Sequence, residues 1–255
     1  MAYWESVQID RRLRGIVARV YFSTDENDPS TAPPIRVLPD GFHTLLVSVA
    51  DVPPSCGERP CTIRLSGVKT RPLDVRSTVR ETKLAVQIRP PALRRLFRLP
   101  AHALVDSSLD LRALDSAALR ELTNRLAVAP SAPGRQKMLM DFLLEQLART
   151  PSRGDWEQAT AAIQVLERER GAVTVGSLAA ETGITERQLE RLFREHVGPS
   201  PKTYARLLRF RNARRFLRSG QGAAQTAIAC GYFDQAHMIR DFRRFAGRTP
   251  RESQI

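Results

Sequence analysis

The sequence predicts an α+β protein, with a β-rich N-terminal domain over residues 1–150 and an all-α C-terminal domain over residues 155–255. Two observations support this prediction. Short apolar runs separated by turn-forming residues fill the chain up to about residue 90, which is typical of a small β-barrel or sandwich. After Pro90 and Pro91 the apolar spacing becomes helical and stays so to the C-terminus, broken only by Gly and Pro.

The predicted elements of the N-terminal domain follow from these patterns. Apolar runs predict five strands, at 16–22, 35–38, 44–49, 62–65 and 83–88. Turn-rich segments at 25–34, 39–41 and 51–60 separate them. Helical spacing then predicts three helices, at 92–98, 115–128 and 134–148. The segment 150–154, Thr-Pro-Ser-Arg-Gly, is the predicted linker between the two domains.

Composition excludes several protein classes. No apolar run approaches the roughly 18–20 residues that a membrane helix needs, and the first 15 residues carry charges where a signal peptide needs an apolar stretch. We therefore expect a cytoplasmic protein with no membrane segment. Three cysteines, Cys56, Cys61 and Cys230, are too few for a disulfide framework. With four scattered histidines they predict small buried residues rather than a metal site.

The net charge of +13 suggests a polyanionic partner but does not locate its binding face. Residues 1–154 carry a net charge of +7 and residues 155–255 a net charge of +6, so the charge is spread over both halves. Local clustering must therefore identify the binding surface.

A helix-turn-helix unit is predicted at about 174–197. Thr174 can cap a short first helix, and Gly183 follows its end, where a left-handed residue is favoured. Thr185 can cap the second helix in a Thr-x-x-Gln capping box with Gln188. The second helix then buries its apolar residues and points its long polar side chains outward, as a recognition helix does.

A repeat strengthens this prediction. Residues 193–201, FREHVGPSP, and 242–250, FRRFAGRTP, share the pattern F-R-x-x-x-G-x-[ST]-P at an offset of 49. The same offset pairs the caps Thr185 and Asp234, and it pairs Arg191 with Arg240. The second turn holds one extra residue before its cap. A second helix-turn-helix unit is therefore predicted at about 223–246.

A basic helix is predicted between the two units, with Ser200 as its cap and Pro201 in its first position. Residues 202–218 contain seven basic residues and no acidic one, which favours phosphate contact over a merely solvated face. A helix of this length spans about 27 Å, close to the ~34 Å repeat of DNA. The two recognition helices could therefore enter successive major grooves.

These segments resemble the AraC/XylS family of transcription regulators over residues 155–255. The resemblance rests on the first unit, the basic helix and the second unit, IACGYFDQAHMIRDFRRFAGRTP. A weaker similarity to the N-terminal part of one subgroup covers residues 36–149, through PDG at 39–41 and RPPALRRLFRLPAHAL at 89–104. It implies a cupin-like β-barrel followed by helices, used for effector binding or dimerisation. Phe42, His43 and Leu45 alternate after the PDG turn, so some of them are expected to face the barrel interior.

The resemblance also implies which residues contact DNA bases. Arginine can bind guanine and glutamine can bind adenine, both bidentately. The implied base-contacting residues are Arg187, Glu190, Arg191, Gln235, Ala236, His237 and Arg240. His237 is equally compatible with a base-facing hydrogen bond and with a role at the helix cap. Expected phosphate contacts come from helix N-termini and basic side chains. They are Thr185, Arg194, Lys202, Arg206, Arg211, Arg214, Asp234 and Arg243.

The second unit departs from the family pattern. Gly222 stands where a Ser or Thr cap is usual, and Ala223 and Thr226 stand where larger apolar residues are usual. We hypothesise that the first helix of this unit is less stable and that the unit contributes less to DNA affinity or specificity than the first.

The sequence gives less support to other functions. Residues 1–90 hold a single histidine, His43, and the chain lacks a phosphate loop, a nucleophile elbow and a paired-carboxylate motif, so we expect no enzyme activity and no cofactor. A helical protein-interaction module, or a nonspecific basic nucleic-acid binder without a sensing role, is the alternative. The expected partners are a double-stranded DNA operator, RNA polymerase if the protein is an activator, a second copy through the N-terminal domain, and an unidentified small-molecule effector.

Overall fold

A computed structural model of the chain describes residues 5–6, 8–24, 33–50, 60–76, 80–150 and 154–252. Most of two predicted turns, at 25–32 and 51–59, lies outside the described residues, and so do Cys56, linker residues 151–153 and the first four positions. The exact domain boundary within the predicted linker therefore stays a prediction.

The N-terminal half is built on an antiparallel sheet. The described strands are β1 (Glu5–Ser6), β2 (Val17–Thr24), β3 (Ile35–Val37), β4 (His43–Ala50), β5 (Cys61–Ser66), β6 (Leu73–Val75), β7 (Glu81–Ile88) and β8 (Ser108–Asp110). Six of them form one sheet in the order β1-β2-β7-β4-β5-β8, and β3 pairs with β6 in a separate ribbon. Strand β4 pairs with β5 and β7 along almost its whole length, so it forms the centre of the sheet.

The α+β prediction is confirmed, and each of the five predicted runs overlaps a strand. Strands β1, β6 and β8 were not predicted, because they are two or three residues long and too short to show an alternating pattern. The expected barrel takes the form of the six-stranded sheet, with β1 and β8 at its edges, together with the β3–β6 ribbon.

Helices cover the buried face of this sheet. They are α1 (Ala92–Phe97), α2 (Ala117–Val128) and α3 (Ala132–Ala148), close to the three predicted helices. Alternate residues of β4, Leu45 and Val47, share one buried apolar cluster with Leu93 of α1, Leu122 of α2 and Leu139 of α3. Their removal from water is the main force holding the N-terminal half together.

The C-terminal half is all-helical. Its helices are α4 (Gly154–Arg168), α5 (Val175–Glu181), α6 (Glu186–His196), α7 (Pro201–Arg218), α8 (Ala223–Ala229) and α9 (Gln235–Ala246). Helix α7 lies at the centre, where Tyr204, Phe210 and Ala213 are fully buried. Phe210 packs edge-on against Phe242 of α9, with ring centroids 4.9 Å apart. Because α7 contributes to the packing of both helix-turn-helix units, it fixes their relative position.

Helix α7 also joins the C-terminal half to the turn at 39–41. The Tyr204 hydroxyl donates a hydrogen bond to the Gly41 carbonyl at 3.1 Å, and Arg211 donates to the Asp40 carbonyl at 3.1 Å. Gly41 has a φ of +86°, and a Cβ there would lie 3.3 Å from Leu207. The turn therefore needs glycine both for its backbone conformation and for its close approach to α7.

A second contact joins the segment 89–104 to α6. Arg94 of α1 forms an ion pair with Glu195 near the end of α6. Gly198, just after α6, packs so closely on the 3-10 helix Ala101–Leu104 and the residue after it that a Cβ would lie 2.7 Å from Val105. Among the described helices, none is both long and apolar enough to cross a membrane.

The buried histidine His43 makes stability depend on pH. It is fully buried in β4, and burial lowers its pKa from 6.5 to about 3. The unfolded chain therefore binds a proton below about pH 6.5 that the folded chain excludes. Burial of the neutral His43 side chain therefore costs no stability from this proton above that pH. As pH falls from 6.5 towards 3, the free energy of unfolding decreases by about 1.4 kcal/mol per pH unit.

We expect His43→Gln to flatten the dependence of unfolding free energy on pH between 6.5 and 4, measured by urea denaturation at each pH. Thr44→Ala, which replaces a half-buried residue of the same strand that does not titrate, is the control and should keep the wild-type slope. An unchanged slope in His43→Gln would show that this histidine does not control acid stability.

Candidate nucleic-acid interface

The first helix-turn-helix unit has the local structure that its sequence predicts. The Thr174 side chain accepts a hydrogen bond from the Ser177 backbone at 3.1 Å. Gly183 has a φ of +68°, as a left-handed turn residue requires. Thr185 and Gln188 form the reciprocal capping box: the Gln188 N–H donates to the Thr185 hydroxyl at 3.2 Å, and the Thr185 N–H donates to the Gln188 amide oxygen at 2.9 Å.

Helix α6 buries its apolar side, including Leu189 and Phe193, and exposes the opposite side. The predicted base-contacting residues Arg187, Glu190 and Arg191 are all exposed on this outer side. Positions 187, 190 and 191 are three and four residues apart, so they form one continuous patch. Their placement agrees with a recognition helix, while contact with bases stays a prediction.

The second unit presents a similar surface on α9. Asp234 caps this helix, its carboxylate accepting from the His237 N–H at 2.5 Å. Gln235, Ala236 and Arg240 are exposed, as predicted. The His237 ring is only half-exposed and packs edge-on against Tyr232, with centroids 5.3 Å apart. Asp234 thus caps the helix through the backbone nitrogen of His237, and the His237 imidazole borders the outer surface of α9.

The entry helix of the second unit, α8, has the weakness that its sequence suggests, and this weakness lies more in Thr226 than in the Gly222 cap. Gly222 makes no side-chain capping bond, and a Gly cap costs only a few tenths of a kcal/mol relative to Ser or Thr. Thr226 is fully buried, and its hydroxyl has no hydrogen-bond partner in the described part of the chain. A buried hydroxyl left in this state costs about 1–3 kcal/mol. Thr226 is therefore the larger source of instability.

Sequence reasoning missed an exposed aromatic side chain beside α9. Phe233 is 94% exposed. It is the extra residue of the second turn: the residue after the turn glycine is Ile184 in the first unit and the buried Tyr232 in the second. Because Tyr232 fills the inward position, Phe233 is displaced to the surface next to the Asp234 cap. The two turn glycines, Gly183 and Gly231, are one residue closer together than the repeat offset of 49. This difference was the signal that could have identified Phe233.

The residues expected to contact phosphate fall into two groups. The first group is exposed: Thr185, Arg194, Lys202, Asp234 and Arg243. The second group, on α7, has partners inside the protein. Arg206 donates through two nitrogens to Asp241, at 2.6 and 3.0 Å. Arg211 contacts the Asp40 carbonyl and lies 3.7 Å from Glu167.

Arg214 is also only half-exposed, with its guanidinium 5.8 Å from the Phe210 ring centroid, and burial lowers its pKa. The segment 202–218 has no acid of its own, but Glu167 and Asp241 supply carboxylates from distant positions in the chain. Arg206 and Arg211 thus have structural contacts inside the protein. Phosphate contact stays a prediction for both groups, and the exposed group can make it without breaking these internal contacts.

The expected role of Arg191 gives a first mutational prediction at this surface. One of its nitrogens lies 3.3 Å from the Asp155 carboxylate, and both side chains are at least half exposed, at 59% and 50%. Exposed pairs of this kind contribute about 0.2–1 kcal/mol. DNA binding by Arg191 must break this contact, so Asp155→Asn should tighten DNA binding by up to about five-fold in a gel-shift titration. Glu121→Gln, which replaces an exposed carboxylate on α2, is the charge-matched control. An equal effect of both variants would indicate a general charge effect instead.

The described cysteines, Cys61 and Cys230, are both buried and unpaired. Burial raises the pKa of the Cys61 thiol to about 11, so it is protonated at neutral pH. No group of three or more His, Cys, Asp or Glu side chains converges in the part of the chain that the structure describes.

Comparison with protein families gives two matches. Residues 178–254 match a helix-turn-helix domain family, and residues 6–110 match a domain family of unknown function, DUF6597. Similar curated proteins include the HTH-type transcriptional regulator ArgR of Pseudomonas aeruginosa, 31% identical over 83 residues, which are 32% of this chain and 25% of that protein. The HTH-type transcriptional activator RhaS of Pectobacterium carotovorum is 31% identical over 130 residues, 48% of this chain and 47% of that protein. The chain thus spans less than half the length of either relative. Both relatives are transcription regulators.

Two solved structures are also similar. A transcriptional regulator from Chromobacterium violaceum, described as containing an AraC-type DNA-binding domain, is 30% identical, with a match that covers 40% of this chain and 92% of that one at a TM-score of 0.37. ToxT from Vibrio cholerae is 12% identical, with coverage of 92% and 96% and a TM-score of 0.46.

Proposed function

The chain belongs to the AraC/XylS family of transcription regulators, and we propose that it binds a DNA operator with α6 and α9 in successive major grooves and so controls transcription. The observation that carries this proposal is the pair of capped helices, α6 and α9, that precede and follow α7 and expose arginines at equivalent repeat positions, Arg191 and Arg240.

The chemistry of the two outer surfaces supports sequence-specific reading. Arg187, Arg191 and Arg240 can each donate two hydrogen bonds to guanine, and Gln235 can pair with adenine. Capped N-termini at Thr185 and Asp234 bring backbone N–H groups and a positive helix dipole close to where the phosphates would lie. Specific and nonspecific contacts are thus available on the same side of each unit.

The N-terminal half is proposed to modulate DNA binding through its contacts with α6 and α7. Gly41 and Asp40 hold α7, and Arg94 and Gly198 mark the contact with α6. A change in the N-terminal half, from an effector or from pairing with a second copy, would act on the helices that set the spacing of the recognition surfaces. If the protein is an activator, we propose that it also contacts RNA polymerase.

The test is selection of binding sites from a random double-stranded DNA library, followed by gel-shift titration of the selected sequence. Specific binding should survive an excess of competitor DNA and remain measurable between 50 and 200 mM salt. A nonspecific basic nucleic-acid binder would give no enriched sequence and would lose binding equally from all DNAs as salt rises, and a protein-interaction module would bind no DNA.

A further inference from the structure

A cleft lies between the two halves of the molecule. It has a volume of about 450 Å³, within the usual range for small-ligand sites. Helix α1 and the end of α3 form one side, and the start of α4 and the end of α6 form the other. The lining residues are Arg94, Arg95, Arg98, Arg149, Thr150, Asp155, Trp156 and His196.

The charge in this cleft is strongly positive. Four guanidinium groups line it against one carboxylate, that of Asp155. Arg94 already pairs with Glu195, but neither Arg98 nor Arg149 has a carboxylate partner among the described residues. Burial and the nearby Arg94 lower the pKa of His196, which favours its neutral form. Arg98 and Arg149 are both exposed and both line the cleft, so their positive charge is available to an anion.

Two hydrogen-bond donors in the wall are buried and unused. Arg95 lies over the Trp156 ring, 4.7 Å from its centroid, and donates one hydrogen bond to the Thr150 carbonyl at 3.2 Å. Its Nε and the Trp156 Nε1 have no acceptor in the described parts of the chain. Buried donors without a partner are rare in proteins, so a ligand that also carried an acceptor near this wall would satisfy them.

We propose that this cleft binds a small organic anion, with a carboxylate or phosphate group on Arg98 and Arg149 and a flat apolar part near Trp156. Arginine binds such groups bidentately, and the part of the half-exposed indole that Arg95 leaves uncovered offers apolar surface to a ring. Inorganic anions lack that apolar part and should bind more weakly. The ligand would bridge α1 and α3 of one half and α4 and α6 of the other.

Asp155 connects the cleft to the recognition surface, because its carboxylate lies 3.3 Å from Arg191. An anion in the cleft would lie near the Asp155 carboxylate that contacts Arg191. We therefore expect anion binding to change DNA affinity. This second step rests on the proposed function, whereas ligand binding itself can be measured without DNA.

The binding test uses the full chain and three probes: benzoate, benzamide as its neutral analogue, and inorganic phosphate. We expect benzoate to raise the Tm and to change Trp156 fluorescence with a Kd in the micromolar to millimolar range. Benzamide should have no effect and phosphate a weaker one. The fluorescence change should disappear in Trp156→Phe while the shift in Tm persists. Equal effects of benzoate and benzamide, or no effect of any probe, would overturn the proposal.

A double variant, Arg98→Gln combined with Arg149→Gln, tests the site. The control is a second double variant, Arg64→Gln combined with Arg218→Gln, which removes the same charge from exposed positions outside the cleft lining. The first pair should weaken benzoate binding at least ten-fold, and the control should change it less than two-fold. A similar loss in both pairs would indicate a general charge effect and overturn the site.

The same variants separate the cleft from a DNA-phosphate surface. If Arg98 and Arg149 contact DNA instead, their double variant should lower the slope of log K against log salt by about 0.9 per lost phosphate contact, for any DNA sequence. That result, with unchanged benzoate binding, would overturn the proposal. An unchanged salt slope together with weakened benzoate binding would support it.

Discussion

Replacing Arg206 by alanine is expected to destabilise the chain by about 3–5 kcal/mol, because it leaves the carboxylate of Asp241 buried without its charged partner. Asp241 is fully buried in α9, and Arg206 of α7 donates two hydrogen bonds to one of its oxygens. The nearby Tyr232 hydroxyl is also buried, and both burial and Asp241 raise its pKa, so it stays protonated. No other cation contacts this carboxylate in the described residues.

Urea denaturation followed by far-UV circular dichroism measures this effect. Arg215→Ala, an exposed arginine on the same helix, is the control and should change the unfolding free energy by less than about 0.5 kcal/mol. Arg206→Met combined with Asp241→Leu removes both charges and should recover most of the loss, because a buried ion pair can be replaced by apolar residues at little cost. A small loss in Arg206→Ala, or no recovery in the double variant, would show that the pair does not hold α9 against α7.

Replacing Arg191 by alanine is expected to weaken operator binding by about 1–3 kcal/mol, or roughly 5–150-fold, and to relax selectivity at one base pair. The exposed position of Arg191 on α6 and the capping box that fixes this helix both support the expectation. Lys202→Ala is the matched control. A phosphate contact should weaken binding to every sequence alike and reduce the salt slope by about 0.9.

The equivalent change in the second unit, Arg240→Ala, is expected to have a smaller effect. Its entry helix α8 lacks a side-chain cap and buries the unpartnered hydroxyl of Thr226. Gel-shift titration of the three variants on one selected operator, at one salt concentration, gives the comparison. If Arg240→Ala weakened binding as much as Arg191→Ala, the hypothesis that the second unit contributes less would be wrong.

Local features of this fold were predictable because they depend on residues three or four positions apart. The Thr185–Gln188 capping box, the Asp234 cap and the left-handed glycines Gly183 and Gly231 are encoded in short segments. The repeat then located the second unit, although its entry helix is only seven residues long. Apolar periodicity likewise located the longer strands and helices of the N-terminal half.

Features that depend on distant parts of the chain were not predictable from one sequence. Arg206 and Asp241 are 35 residues apart, and Arg211 and Asp40 are 171 apart. The basic helix α7 therefore looked free to bind phosphate, although the fold brings acceptors from three other segments to it. The arginine cleft was not predictable for the same reason, since four separate helices supply its lining.

Methylation interference on the selected operator tests the central claim most directly, because it reports guanine N7 contacts in the major groove. We expect interference at two groups of guanines about 10–10.5 base pairs apart on one face of the DNA, with the signal of one group lost in Arg191→Ala and that of the other in Arg240→Ala. Interference in a single group, or loss of the same group in both variants, would contradict DNA reading by two recognition helices.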